Sequence, residues 1–152
     1  PVARAWLYGA RVVAALLPVA LLGLAPAFVA GMGAGPTASV RYLAASALII
    51  LAYGGAFALL GLLVRWPTWV GLAYLLFWEQ PVSLVPGFLG KLTLLTHGRT
   101  LAGLPLPNVP FAELFEPPNA VGSALALLAV AAGTFVIGGR LVSRREQRLA
   151  KG

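Results

Sequence analysis

The chain has 152 residues, of which 60% are apolar and only 10% charged, with a mean hydropathy of +0.91. A water-soluble domain carries about 25% charged residues, so too little charge is present to wet the surface of a globule, and lipid is the solvent this composition suits. The absence of cysteine and the single histidine, His97, exclude disulfides, thiolate metal sites and multi-His clusters, and the net charge of +7 is gathered in a basic tail (Arg140, Arg144, Arg145, Arg148, Lys151) rather than spread over a nucleic-acid-binding face.

The chain opens with Pro1 rather than methionine, which reads as a fragment or a processed product, and the apolar stretch after Arg11 is too long for a cleaved signal. Its first eleven residues carry Arg4, Trp6, Tyr8 and Arg11. Aromatic rings suit the headgroup level and arginines the phosphate zone, so this segment is either a plain interfacial anchor or a surface for a cytoplasmic partner. No charge occurs between Arg11 and Arg41. Residues 12–30 supply a first span long enough for a hydrocarbon core of about 30 Å. Pro18 and Pro26 lie inside it and predict a kink, tolerable where neighbouring helices serve the freed carbonyls. A Gly-rich turn follows over 31–36.

A second span is expected over 42–64, bounded by Arg41 and Arg65. Its small residues recur four apart (Ala52 with Ala56, Gly54 with Ala58), a spacing that admits close helix approach or merely reflects abundant Ala and Gly. Pro67 marks a helix start, and a third span over 67–85 has Trp66 and Trp69 at one end and Trp78 towards the other, as an interfacial aromatic belt would. Residues 86–119 break the pattern with six prolines and four charges, Lys91, Arg99, Glu113 and Glu116. They read as an outer loop of short re-entrant or interfacial helices. A last span over 121–142 again carries small residues four apart (Gly122 with Ala126, Ala129 with Gly133) and ends on Arg140, which can snorkel. The expectation is a single all-α transmembrane domain over 1–152, with four spans and a re-entrant or interfacial helical loop before the last. With four spans the termini share a side that holds eight basic residues against three, which places both in the cytoplasm and 86–119 outside.

Glu79 is the only acidic residue in the first 112 positions and falls inside a span. An intramembrane carboxylate costs a few kcal/mol on insertion scales, so it should face protein or water and have a partner. Arg41, Lys91, His97 and Arg99 are the candidates. Glu79 with Gln80 then reads either as a polar element of a translocation path, near the outer end of the span, or Glu79 as a carboxylate that pins the loop to the span end by a salt bridge or by capping backbone N–H groups. His97 with Arg99 suits anion handling or simply a wet loop. No H-E-x-x-H, G-x-S-x-G or P-loop is present, Ser46 and Thr134 have no evident base, and Ser83 is at most near Glu79. No catalytic residue is assigned.

These features together resemble the C-terminal two-thirds of an ABC-2 type permease, the membrane subunit of an ABC exporter. The resemblance rests on "PVARAWLYGARVVAALL" as a lead-in from the cytoplasm, on "YLAASALIILAYGGAFALLGLLVRWP" and "PTWVGLAYLLFWEQPVSLVPGF" as successive spans, and on "LGKLTLLTHGRTLAGL" before a last span with a basic tail. It implies six spans in the whole subunit, two of them upstream of this chain. It further implies pairing into a homodimer or heterodimer of permeases in the cell (inner) membrane and coupling to an ATP-binding cassette subunit. ATP would be bound and hydrolysed on that partner, and this chain would have no cofactor of its own. On this view Arg4, Trp6, Tyr8 and Arg11 face the ATPase, and Glu79, Gln80, Arg41, His97 and Arg99 lie on the substrate path or outer gate. The alternative is a non-transport polytopic scaffold or a small intramembrane enzyme.

Overall fold

The computed structural model describes residues 4–85, 87–105 and 118–149. All regular structure among them is helical. Helix α1 (Arg4–Ala34) has 31 residues, about 46 Å at 1.5 Å per residue. It runs through Pro18 and Pro26 without interruption. The expected turn over 31–36 shrinks to one residue, Gly35, whose φ of 102° is a conformation that L side chains rarely adopt. Pro36 then opens α2 (Pro36–Leu63, 28 residues). The two helices close on each other at the turn, where a Cβ on Gly31 would run into the Ser39 backbone. Lower down, Gly54 of α2 receives Leu16 of α1.

Helix α3 (Pro67–Ala73) passes without a break into a π-helical turn (Tyr74–Glu79) and a last short turn, α4 (Gln80–Ser83). The pieces have 7, 6 and 4 residues, so this segment falls short of the third span expected over 67–85. Pro81 accounts for the location of the irregularity. It has no N–H to give, and its ring crowds the carbonyl four residues back, so the preceding turn widens. The chain then folds back tightly around Gly90, where a Cβ would meet the Val85 carbonyl, and passes through a 3₁₀ turn (Gly90–Leu92) into α5 (Leu94–Ala102). Thr93 caps α5, its Oγ1 accepting from the Thr96 N–H at 3.3 Å. Gly103, with φ 70°, ends it in a left-handed cap. Helix α6 (Ala120–Leu149) starts at Asn119, whose Oδ1 accepts from the Gly122 N–H at 2.5 Å.

The contacts along α2 order the bundle. Gly71 of α3 faces Phe57, Glu79 reaches Tyr53, Gly98 of α5 faces Ile49, and Gly103 lies beside Arg41. The segment 67–103 therefore climbs α2 from its Leu63 end towards its Pro36 end, in two half-helices with a reversal between them. Three elements run as continuous long helices, and the segment 67–103 follows α2 as short helices with a break between them. Three helices are long and apolar enough to cross a membrane, namely α1, α2 and α6. Within the region read as an outer loop of re-entrant or interfacial helices, α5 packs against α2 and α6. A nine-residue amphipathic helix is too short to span alone.

Buried small residues line the seams. On α2 these are Ala45, Ala52 and Gly55. On α6 the inward stripe is Ser123, Leu127, Ala131, Thr134 and Gly138, and the two pairs singled out in sequence are not its core: Gly122 and Ala129 are exposed. Gly55 sits against Thr134 and Gly138 against Tyr8, so α6 crosses α2 and reaches α1 near the chain's start.

Candidate functional site: a buried carboxylate at the helix break

Glu79 ends the π turn and is 1% exposed. Its Oε1 accepts from the Tyr53 hydroxyl at 2.5 Å and from the Leu95 N–H at 2.6 Å, and its Oε2 accepts from the Tyr74 hydroxyl at 2.7 Å. The three donors come from three different elements: α2, the π turn itself and the first turn of α5. Each is a short, charge-assisted geometry. Both carboxylate oxygens are thus served by donors from the protein.

The π turn makes this possible. At 3.6 residues per turn, residues five apart point about 140° away from each other. The wider π turn brings Tyr74 and Glu79 to the same side. Glu79 also meets the N-terminus of α5, where backbone N–H groups lack intrahelical partners and the helix dipole is positive. One carboxylate thus serves as an acceptor for α2 and as a cap for the second half of a broken helix.

The cationic partners expected for Glu79 are not the ones it has. Among the described residues no ion pair involves Arg41, Lys91, His97 or Arg99, and two tyrosines and a backbone amide take their place. Tyr53 lies about 15 Å from the Leu63 end of α2 and about 26 Å from the Pro36 end at 1.5 Å per residue, which sets the level of Glu79 along the bundle. The sequence held one usable signal, Pro81 two residues after a lone acidic residue in an apolar run, and nothing in a 3.6-residue period pointed to Tyr53 or Tyr74.

The other expected site residues scatter. His97 Nδ1 is 3.1 Å from Ser123 Oγ, which ties α5 to α6. Ser123 has no exposed surface, so the pair presents no accessible nucleophile. Arg99 is half-buried one turn from the end of α5, Arg41 is exposed beside Gly103, and Gln80, next to Glu79 in the chain, is exposed. At the opposite end of the bundle Trp6 and Arg11 are exposed. The Tyr8 hydroxyl instead turns inward, buried against Gly138 without a hydrogen-bond partner. The side chain of Arg4 and residues 106–117, with Glu113 and Glu116, lie outside the described residues. Among the described residues no three His, Asp or Glu side chains converge as a metal site would need.

No family model matches the chain, and neither the curated proteins nor the solved structures compared with it give a match.

Proposed function

We propose that the chain is the membrane subunit of an ATP-driven exporter of the ABC-2 type, forming part of a translocation path whose power stroke comes from a separate ATP-binding cassette subunit. The observation that carries this reading is the coincidence of two features in one block. The stretch "LLFWEQPVSLVPGFLGKLTLLTHGR", the most specific part of the resemblance, is also where the segment 67–103 breaks around a buried carboxylate. Non-helical backbone at membrane depth is tolerated where protein buries it or where it lines a cavity, and transporters place such breaks at their working sites. The segment 67–103 crosses the membrane in two half-helices on this reading, and both termini, with Arg11, Arg65, Arg140 and Arg144, face the cytoplasm. Two such subunits pair, and the path runs between them.

The test is association and coupling. The full-length protein is purified in mild detergent with its candidate ATPase subunit, and the pair is reconstituted into vesicles. Co-purification and a rise in ATP turnover on reconstitution are expected; no association and no stimulation would overturn the reading. Orientation is tested separately, using the absence of native cysteine. Arg65→Cys should react with an impermeant maleimide only from the cytoplasmic side, and Pro105→Cys only from outside.

A further inference from the structure

A groove runs along one side of the bundle with α2 as its floor, α1 as one wall and Leu75 of the π turn as the other. Its volume is about 600 Å³, within the range of about 300–1,000 Å³ typical of small-molecule sites. The α1 wall includes Arg11, Ala15 and Val19 at spacings of four, with Val12 and Leu16 beside them. The floor includes Ile50, Tyr53 and Phe57 of α2. Arg11 and Tyr8 stand at the mouth, near the Leu63 end of α2, Tyr53 lines the middle beside Glu79, and Ile49 and Ile50 close the deep end.

We propose that this groove holds one acyl chain of an anionic phospholipid from the leaflet on the Arg11 side, with its phosphate on the Arg11 guanidinium. Three observations carry the assignment. Arg11 is exposed and has no ion-pair partner among the described residues, so the only charge on the groove wall is a free cation at the level where lipid phosphates lie. From Arg11 to Val19 the α1 wall rises about 12 Å at 1.5 Å per residue, close to the depth of one leaflet of a core about 30 Å thick. The walls between are apolar, with Ala15, Leu16 and Val19 on α1 and Ile50, Phe57 and Ala58 on α2. Guanidinium suits phosphate through paired N–H donors, so the site distinguishes headgroups by charge at one end only. The assignment does not depend on what the protein transports.

The experiment reconstitutes the full chain with phospholipids bearing a photoreactive diazirine in one acyl chain, as phosphatidylglycerol or as phosphatidylcholine, and maps the adducts by mass spectrometry. With phosphatidylglycerol, adducts should gather on Ala15, Leu16 and Ala58 at several times the yield given by phosphatidylcholine. Arg11→Gln should bring the two lipids level, Arg11→Lys should keep most of the preference, and adducts on the outward-facing Leu22 should show no headgroup preference in any variant. Equal labelling by both headgroups in the unaltered protein, or a preference that survives Arg11→Gln, overturns the proposal. So does spontaneous disulfide formation between Ala15→Cys copies in vesicles, which would mean that a second copy of the chain covers the groove.

Discussion

The hairpin of α1 and α2 and the broken segment 67–103 sit against each other and are held in different ways. In the hairpin the helices run unbroken, α1 even through Pro18 and Pro26, and the two need only small residues to come close: Gly31 at Ser39, Gly54 at Leu16. The segment 67–103 interrupts its own hydrogen-bond ladder between Ser83 and Leu94, and side chains from elsewhere must serve the freed groups. Glu79 accepts from the Leu95 N–H, Thr93 accepts from the Thr96 N–H and donates to the Gly90 carbonyl, and Tyr53 holds Glu79 in place. The difference follows from the solvent. Where no water competes, a continuous helix stays whole without help, whereas a break stands only where protein supplies the missing donors and acceptors.

The contrast can be broken first at Glu79. Glu79→Ala leaves two tyrosine hydroxyls and the Leu95 N–H aimed at nothing, and each stranded buried donor costs about 1–3 kcal/mol. A loss of about 3–5 kcal/mol is expected, read from unfolding in mixed detergent–dodecyl sulfate micelles, with Glu79→Gln losing about half as much. An unchanged midpoint in Glu79→Ala would mean that the break is held by packing alone. Gly31→Val strikes the hairpin instead. The added Cβ meets Ser39 backbone, which cannot swing aside, and overpacking of this kind costs about 2 kcal/mol. Its damage should appear in amide exchange at the α1–α2 turn and leave the Leu95 amide protected.

Tyr53→Phe sharpens the comparison by removing one donor while keeping the ring stacked on Phe57, whose centroid is 5.8 Å away. A cost of about 1.5 kcal/mol fits a single charge-assisted bond, with faster exchange confined to the start of α5. Ser123→Ala removes the tie from α5 to α6 and should cost about 1 kcal/mol. Leu22→Ala, on the outward face of α1 at 79% exposure, should stay within about 0.5 kcal/mol. A large effect there would mean that protein and not lipid covers that face.

Much of the hairpin was legible because its rules are one-dimensional. An uncharged run between arginines gives a span, and the glycines of 31–36 give the turn. The π turn was not legible, because one extra residue in a turn leaves composition and hydropathy unchanged while it rotates everything after it. The same rotation hid the Tyr74–Glu79 bond. The contact faces of α6 were misread for a related reason: Ala and Gly are so common in that helix that spacing alone could not choose between the Gly122 and Ala129 stripes and the one through Ser123, Leu127 and Ala131.

Sequence alone determined that the chain belongs in lipid, that long apolar helices cross it (four expected, of which three are long and apolar enough), and that one carboxylate among them needed company. Each of those follows from counts along the chain, since transfer into hydrocarbon depends on what a segment contains. Only the tertiary structure decided that the company is two tyrosines and an amide, that the segment 67–103 is split, and that Glu79 at the split lies level with Tyr53. Those depend on which residues sixteen and twenty-six positions apart come within hydrogen-bond reach, and that is fixed by how helices pack and where one of them widens.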